Sequence, residues 1–286
     1  MGRSAAVVSL QWNCRWGRST GTALSRAEYC VSSKKVVTLH TRGNCPLLTR
    51  AISWLVTKVE RAVFAPTCGG CGWPGVWWCD RCFRELRPLS VFTHRCQRCD
   101  RPLTSDHNRC PDCSSWPSPL VQARALYLYE GPLRTALHRV KYRGERRRGE
   151  FLGELLASSA DVLVGNQCAA VHCVVPIPLH RTRLRERGFN QSSLLAAAVA
   201  RKLALPLEEG LVRLRATATQ VSQDRAARWE NVAGAFAWVG QPLEGTVLLV
   251  DDVVTTGATV IAASEALITA GARAVIVLAL ARAAAV

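Results

Sequence analysis

Residues 247–259 have the sequence VLLVDDVVTTGAT, in which an apolar run is followed by two acids and then by a turn rich in Thr and Gly. A short, continuously apolar run such as 247–250 is typical of a strand that is buried on both faces of a parallel sheet. Ligands of such sheets bind beyond the carboxyl ends of the strands. The backbone N–H groups of the turn and of the helix that follows it would form a cradle for an anion. This stretch therefore predicts a phosphate site.

The two acids before the turn indicate which phosphate compound would bind. The carboxylates of Asp251 and Asp252 can accept hydrogen bonds from two vicinal hydroxyls, which matches a ribose whose 5-phosphate lies in the cradle. A strand that ends by chance in an acidic helix cap is the alternative interpretation. The stretch resembles the 5-phosphoribosyl-1-pyrophosphate (PRPP) motif of type I phosphoribosyltransferases. The resemblance implies PRPP binding by Val250, Asp251, Asp252, Val253, Val254, Thr255, Thr256, Gly257, Ala258 and Thr259.

Strand and helix patterns alternate along the second half of the chain. Strand patterns occupy 123–129, 171–175, 247–250 and 274–280, and helical patterns occupy 131–140, 151–163, 189–205 and 258–270. Strands that are connected by helices pair in parallel, and the helices then cover both faces of the sheet. The pattern therefore predicts an α/β fold. With the PRPP motif, we expect a type I phosphoribosyltransferase-like parallel sheet flanked by helices and preceded by a small cysteine-rich module.

Eight of the 13 cysteines form four CxxC pairs within residues 68–113. Two such turns can offer four thiolates to one zinc ion, so four turns predict a double zinc ribbon. The spacing permits both sequential and interleaved pairing of the turns. A closed four-thiolate site leaves no open coordination position, which favours structural over catalytic zinc. The predicted ligands are Cys68, Cys71, Cys79, Cys82, Cys96, Cys99, Cys110 and Cys113.

The chain is strongly basic, with 37 Lys and Arg against 21 Asp and Glu and a net charge of +16. Such a charge favours anionic partners. Arginines and tryptophans interleave in the cysteine-rich block, which could bind single-stranded DNA or another nucleic acid by phosphate contact and base stacking. The tryptophans could instead form the small core of the module, and the module could also dock a partner protein. The residues concerned are Trp73, Trp77, Trp78, Arg81, Arg84, Arg87, Arg95, Arg98, Arg101 and Arg109.

Composition divides the 286 residues into three predicted parts. These are a poorly structured basic extension with a short helix at 1–60, the double zinc ribbon at 61–119 and the phosphoribosyltransferase-like domain at 120–286. The extension faintly resembles a transit peptide, although a start codon assigned too far upstream would produce similar sequence. No apolar run approaches the roughly 20 residues of a membrane span, and zinc thiolates need a reducing compartment. We therefore expect a soluble, cytoplasmic protein.

Beyond the PRPP motif, the sequence resembles the ComF family, competence-associated proteins that join a double zinc ribbon to a phosphoribosyltransferase-like domain. The resemblance covers roughly residues 64–283 and includes KYRG at 141–144, VPIPLHR at 175–181 and RGFNQ at 187–191. It implies Mg²⁺-dependent transfer of ribose 5-phosphate from PRPP to a nucleophile, with pyrophosphate as the leaving group. The implied catalytic residues are two acids near the ribose and two cations, namely Asp251, Asp252, Arg187 and Arg225.

The resemblance leaves the function open at two points. No residue pattern identifies the acceptor of the ribose 5-phosphate group, and a fold does not determine a function. The alternative to an enzyme is a non-catalytic nucleic-acid-binding factor that uses the zinc ribbons and binds PRPP as a regulatory ligand. A link to competence and DNA uptake rests on the family resemblance alone.

Overall fold

The structure is a computed structural model, and it describes residues 66–104, 108–113, 116, 120–215 and 234–284. All of them belong to one compact unit, Trp54–Val286. The predicted extension at 1–60 and the predicted cation Arg225 lie outside the described residues. The boundary expected after residue 119 falls beside such residues as well, so the three-part division stays a prediction.

The described residues contain six strands and seven α-helices. The strands are β1 (Leu120–Leu128), β2 (Val171–Pro176), β3 (Leu211–Arg213), β4 (Phe236–Trp238), β5 (Thr246–Val254) and β6 (Ala274–Arg282). The α-helices are α1 (Asp80–Arg84), α2 (Gly131–Tyr142), α3 (Arg146–Ala157), α4 (Ala160–Val164), α5 (Arg181–Arg187), α6 (Gln191–Leu203) and α7 (Ala258–Thr269). In this part of the chain no helix combines the length and the hydropathy that crossing a bilayer requires.

A parallel sheet with the strand order β1-β6-β5-β2 forms the centre of the described structure. β5 pairs with β6 along its whole length, from Thr246 opposite Ala274 to Val254 opposite Arg282, and it pairs with β2 on its other edge. Helices cover both faces of the sheet, so the apolar residues 247–250 of this central strand are fully buried. The predicted parallel α/β fold is confirmed. β3 and β4 form a separate antiparallel pair.

Alternate residues of the strands face two separate cores. Val247 and Leu249 of β5 lie in one core together with residues of α7. Leu248 and Val250 lie in the other core, which α2, α3 and α6 complete. This division follows from the side-chain period of two in a strand. We call the two sides of the sheet the α7 face and the α6 face.

The structure differs from the predicted elements in three places. Residues 181–187, between the predicted strand at 171–175 and the predicted helix at 189–205, form α5, which His180 caps by accepting a hydrogen bond of 3.3 Å from the Thr182 N–H. None of the residues of α5 is buried, so it has no apolar spacing by which a helix could be predicted. The single helix expected over 151–163 is two helices, α3 and α4. The pair β3–β4 was not expected, because three-residue strands are too short for a recognisable alternation.

Candidate functional site

The loops that follow β2 and β5 leave the same edge of the sheet in different directions. The chain after β2 enters α5 and then α6, which packs on the α6 face, whereas the chain after β5 enters α7 on the opposite face. Neighbouring strands whose connections diverge in this way mark a topological switch point, where open α/β sheets bind ligands. The predicted phosphate stretch follows β5 at this edge, which we call the crevice.

Asp251 is buried near the carboxyl end of β5, with 7% of its surface exposed. Its Oδ1 atom accepts a hydrogen bond of 3.0 Å from the Ser192 hydroxyl and one of 2.9 Å from the Asp252 backbone N–H. Burial and the carboxylate of Asp252 raise the pKa of Asp251 to about 7, against the lowering effect of the Lys141 ammonium. Asp251 can therefore hold or release a proton near neutral pH.

Asp252 forms a buried ion pair with Lys141 of α2. The Nζ atom of Lys141 lies 2.5 Å from Oδ2 of Asp252, and both side chains are largely shielded from water. Burial by itself would lower the pKa of Lys141, but attraction by Asp252 and Asp251 raises it above its usual value. The lysine therefore stays positively charged beside the acid pair.

Arg187, at the end of α5, is the predicted cation that lies among the described residues, and it is under the electrostatic influence of Asp252. Its half-buried guanidinium donates a hydrogen bond to Gln191 Oε1 and lies over the Tyr142 ring, 6.0 Å from the ring centroid. Burial lowers the pKa of Arg187, and the negative charge of Asp252 acts in the opposite direction. Two cations, Arg187 and Lys141, thus act on the same carboxylate.

The RGFNQ stretch fixes the start of α6 against the sheet. The Asn190 side chain accepts a hydrogen bond of 3.2 Å from the Ser192 N–H and donates one of 2.9 Å to the Ile177 carbonyl. Ile177 follows β2 directly, and its N–H donates to the Val250 carbonyl over 2.9 Å. These bonds tie the first turn of α6 to the end of β5. As a result, the Ser192 hydroxyl reaches Asp251.

The predicted phosphate loop begins where β5 ends and runs into the first turn of α7. Thr255 is exposed, and Gly257 caps α7 with a φ of 92°, a left-handed conformation that glycine adopts without steric penalty. The Thr256 hydroxyl accepts a hydrogen bond of 3.4 Å from the Ala258 N–H. The first turn of a helix leaves N–H groups without intrahelical acceptors. This geometry suits an anion.

Among the described residues, the eight CxxC cysteines form two groups of four, within each of which the sulfur atoms lie within 4.8 Å of one another. The turns pair sequentially, which decides between the two pairings that the spacing permitted. The described cysteines are free thiols. We call the groups the first tetrad (Cys68, Cys71, Cys79 and Cys82) and the second tetrad (Cys96, Cys99, Cys110 and Cys113).

The first tetrad is held against α2 and α3 by buried arginine and stacked rings. Arg148, with 1% of its surface exposed, donates hydrogen bonds of 2.8 Å to the Thr67 carbonyl and 3.5 Å to the Trp77 carbonyl. The Trp77 ring stacks on Phe151 with 6.4 Å between the centroids. Arg139 donates to the Cys68 carbonyl over 3.2 Å. Trp77 therefore helps to attach the module to the helices.

The second tetrad lies inside the core of the α7 face, where all four of its cysteines are buried. Arg98 donates a hydrogen bond of 3.1 Å to the Cys113 carbonyl, and its own carbonyl accepts one of 2.7 Å from the Ala123 N–H of β1. The buried carboxylate of Asp100 accepts a hydrogen bond of 3.0 Å from the Ala125 N–H. The loops of the second tetrad and β1 are therefore joined by main-chain and side-chain bonds.

The donor chemistry of both tetrads fits a zinc ion. The Cys79 N–H donates to the Cys68 sulfur over 3.4 Å, and the Cys110 N–H donates to the Cys96 sulfur over 3.3 Å. Burial alone would raise the pKa of Cys68, but hydrogen bonds from backbone N–H groups such as that of Cys71 hold it at about 6. Such bonds stabilise the thiolate, which is the form that binds metal.

Comparisons with known proteins agree with the fold. A family model described as phosphoribosyl transferase domain matches residues 190–285. The DNA utilization protein YhgH of Escherichia coli (strain K12) is 33% identical over 202 residues, which are 69% of this chain and 86% of that protein. Competence protein ComFC of Bacillus subtilis (strain 168) is 30% identical over 202 residues, 68% of this chain and 78% of that protein.

Among solved structures, a glutamine PRPP amidotransferase from B. subtilis in complex with ADP and GMP aligns with 46% of this chain and 25% of that chain, at 25% identity and a TM-score of 0.31. The parallel sheet, the tetrads and the domain match define the class, a phosphoribosyltransferase-fold protein with a cysteine-rich module. The chain belongs to the ComF family, as its similarity to ComFC and YhgH shows.

Three residues around the crevice were not expected from the sequence, and each carried a signal. Lys141 opens the KYRG stretch and Ser192 directly follows RGFNQ, so both stand at motifs that were already recognised. Arg282 ends the apolar strand β6 and is buried. A charged residue within a buried strand is unusual and could have marked it as a residue with a specific partner.

Proposed function

We propose that the chain binds PRPP with Mg²⁺ at the crevice and transfers its ribose 5-phosphate group to an acceptor. The observation that carries the proposal is the burial of Asp251 and Asp252 at the end of β5, directly before the glycine-capped start of α7. The ribose hydroxyls would donate to the two carboxylates, and the 5-phosphate would lie at the N–H groups of 255–259. Membership of the ComF family and the phosphoribosyl transferase domain match support this assignment.

The diphosphate of PRPP would lie toward the cations beside Asp252. Lys141 and Arg187 supply positive charge there, and Arg225 stays a proposed third cation. Mg²⁺ prefers oxygen ligands and keeps several of its waters. The two aspartates already have partners in Ser192 and Lys141, so diphosphate oxygens would be its principal ligands. The ion would therefore bind together with PRPP.

The proposed reaction is a substitution at the anomeric carbon of the ribose. A lone pair of the acceptor forms a bond to that carbon while the bond from the carbon to the diphosphate oxygen breaks. The bonding electrons leave with diphosphate, and the acceptor loses its proton to solvent or to a base. Asp251 and Asp252 would stabilise positive charge on the ring, and Lys141 and Arg187 would stabilise the leaving group.

The binding proposal is tested by calorimetric titration of the zinc-loaded chain with PRPP and Mg²⁺. We expect Asp251→Asn to weaken binding at least about tenfold, since hydrogen bonds to charged groups are the strong ones. Asp252→Asn alone would leave Lys141 without its partner, so the second acid is tested as Lys141→Met/Asp252→Asn. Asp161→Asn, an exposed change on α4, is the matched control. Absence of binding by the folded wild-type chain would contradict the proposal.

Transfer is tested separately from binding. The wild-type chain is expected to release pyrophosphate from PRPP in the presence of a suitable acceptor from a broad panel. The Asp251→Asn variant is expected to release none above background, while Asp161→Asn retains the wild-type rate. PRPP binding without release across the panel would favour PRPP as a regulatory ligand.

We infer that each tetrad holds one structural Zn²⁺. Four thiols within 4.8 Å of one another and N–H groups directed at sulfur support this inference. Bound zinc would contribute folding free energy and leave no open position for chemistry. Such thiolate sites need a reducing compartment, which supports a cytoplasmic location. Metal analysis should find two zinc ions per chain, with Cys168→Ser as a control that retains both; fewer than two in the wild-type chain would contradict the inference.

Single-stranded nucleic acid is a second candidate ligand, at the loops of the first tetrad. Trp73 is 66% exposed and Phe83 46% exposed, and Arg81 and Arg84 are also exposed. Exposed rings beside basic groups can stack on bases and contact phosphates. The name of the relative YhgH, a DNA utilization protein, supports this candidate.

Point substitutions test this candidate better than deletion of the whole cysteine-rich module. Such a deletion would also remove the second tetrad and open the core of the α7 face. Trp73→Ala/Phe83→Ala should weaken single-strand binding at least about fivefold, since one base stack contributes about 1–3 kcal/mol. Val162→Ala, an equally exposed apolar position on α4, is the control. Unchanged DNA binding by the double variant would contradict the nucleic-acid site and favour a protein partner at these loops.

A further inference from the structure

Arg282 connects the second tetrad to the start of the phosphate loop. It is 1% exposed at the end of β6. Its Nε donates a hydrogen bond of 3.0 Å to the Cys99 carbonyl, and its Nη2 lies 3.7 Å from the Cys99 sulfur. Its Nη1 donates to the Val254 carbonyl over 2.8 Å and also to the Thr255 carbonyl. One side chain thus contacts both a tetrad cysteine and the loop.

The hydrogen bonds of Arg282 fix the direction of the Thr255 carbonyl and, together with a bond of 3.0 Å from the Ala283 N–H, that of the Val254 carbonyl. In a trans peptide the C=O and N–H bonds point in opposite directions. The described residues contain no cis peptide bond. Because the Val254 and Thr255 carbonyls point to Arg282, the N–H groups of Thr255 and Thr256 point away from it. These are N–H groups that an anion in the cradle would use.

The buried charge of Arg282 requires compensation inside the protein. Its hydrogen-bond acceptors among the described residues are main-chain carbonyls and the Cys99 sulfur, and no carboxylate is among them. Four thiolates around one zinc ion carry a net negative charge, which would balance the guanidinium. Neutral thiols would leave the buried cation uncompensated, which is unfavourable. Arg282 is therefore held most firmly when the second tetrad contains zinc.

A second contact with the phosphate loop comes from Trp116, which follows the second tetrad in the chain. Trp116 is buried, and its backbone N–H donates to the Cys113 carbonyl over 3.2 Å. A Cβ atom placed on Gly257 would overlap the Trp116 indole. The indole therefore packs directly on the glycine that caps α7.

From these contacts we infer that Arg282 is a positioning residue that couples zinc occupancy of the second tetrad to the conformation of the phosphate loop. A zinc-loaded second tetrad would attract the Arg282 guanidinium by its net negative charge. Arg282 donates to the carbonyls of Val254 and Thr255, so that the loop would present its N–H groups to a phosphate. The effect on PRPP affinity rests on the proposed function. The ordering of the loop does not depend on it.

Arg148 offers a matched control for Arg282. Both arginines are 1% exposed, and both donate to main-chain carbonyls of a tetrad loop. The hydrogen bonds of Arg148 within the described residues go to Thr67, Trp77 and Glu145, none of which belongs to the phosphate loop. A merely structural loss should therefore be similar in the two variants, whereas an effect on the loop should follow Arg282 alone.

Hydrogen–deuterium exchange of the zinc-loaded full chain tests the coupling without any ligand. We expect Arg282→Met to speed exchange at least about tenfold at two amides that close the loop onto α7, those of Ala258, which donates to the Thr256 hydroxyl, and Ile261, which donates to the Gly257 carbonyl. About 1.4 kcal/mol of lost hydrogen bonding corresponds to that factor. Arg282→Lys should give a smaller increase, and Arg148→Met should leave these amides within about twofold of wild type. Cys110→Ser, which loses the second zinc, should resemble Arg282→Met, and Cys71→Ser should not.

Titration of the same chains with PRPP and Mg²⁺, and with inorganic phosphate, separates the two proposals. Affinity is expected to fall in the same order as loop protection. Equal loop exchange in wild type, Arg282→Met and Arg148→Met would overturn the coupling even where PRPP binds. Faster loop exchange in Arg282→Met, with no PRPP binding by wild type, would support the coupling and overturn the proposed function. If Arg282→Met does not fold, Arg282→Lys decides.

Discussion

The two tetrads share their ligands and their CxxC turns, but they differ in their surroundings. In the first tetrad Cys71 is exposed and Cys79 is half-buried, and the loops rest on α2 and α3 through Arg148. In the second tetrad all four cysteines are buried in the core of the α7 face. Its arginine, Arg282, reaches the loop at the end of β5.

This difference shows that one local motif can occupy two structural roles. A four-cysteine site at the surface stabilises its own loops, whereas the same site in a core also stabilises the elements packed on it. The first tetrad is therefore suited to contact a partner, because Trp73 and, on α1, Phe83 are exposed beside its cysteines. The second tetrad is suited to support the crevice.

The largest expected effect separates the tetrads by stability. Cys110→Ala should lower the free energy of unfolding by more than about 4 kcal/mol, because it opens a metal site inside the main core. Cys71→Ala should shift the unfolding transition of the sheet by less than about 2 kcal/mol, because an exposed module can open locally. Zinc content and thermal unfolding of each variant measure the difference. Similar losses in both variants would show that the two tetrads contribute equally to the stability of the sheet.

A smaller effect concerns the buried carboxyl group of Asp251 at the crevice. Burial raises the pKa of Asp251 from 3.8 to about 7, so between these values the folded state binds a proton that the unfolded state has lost. Stability should therefore fall as the pH rises from about 4 to about 7, by up to about 4 kcal/mol, and then stay level.

Asp251→Asn should remove this pH dependence, so the variant gains stability relative to wild type as the pH rises through that window. Denaturant unfolding at several pH values measures it, with Asp161→Asn as the control that keeps the wild-type slope. A parallel pH profile for wild type and Asp251→Asn would show that Asp251 does not titrate in this range.

The next effect tests the packing of the second-tetrad segment on the phosphate loop. Gly257 and Gly75 have φ values of 92° and 90°, but a Cβ on Gly257 would overlap Trp116, whereas nothing lies within 4 Å of one on Gly75. Gly75→Ala should cost about 1 kcal/mol for its backbone conformation, and Gly257→Ala should cost about 1–3 kcal/mol more. Chemical denaturation measures both, and equal losses would argue against the Trp116 contact.

The smallest effect concerns the surface of the first tetrad. Trp77→Ala should lower the free energy of unfolding by about 2 kcal/mol, because the half-buried ring stacks on Phe151. Trp73→Ala should change it by less than about 0.5 kcal/mol, since the ring is 66% exposed. A large loss of stability in Trp73→Ala would mean that this ring belongs to the core of the module and is not free to contact a partner.

Several features were predictable because they depend on residues close together in the chain. The run 247–250 is buried on both faces, and the tetrads occupy the predicted CxxC turns. The helix α5 and the pair β3–β4 were not predictable, because their short lengths leave no period to recognise. The roles of Asp251, Asp252 and Arg187 stay predictions. The negative charge of Asp252 does act on the guanidinium of Arg187 and favours its charged form.

Local sequence patterns were enough to predict the parallel α/β fold, the CxxC turns and the acid pair before the predicted phosphate loop, because strand periodicity and turn chemistry are local. The sequential pairing of the tetrads and the partners of the buried charges became known from the tertiary structure. Ser192 and Asp251 are 59 residues apart, and Arg282 and Cys99 are 183 apart. Such partners meet because of the order of the strands and the face on which each helix packs, and no local pattern encodes that order.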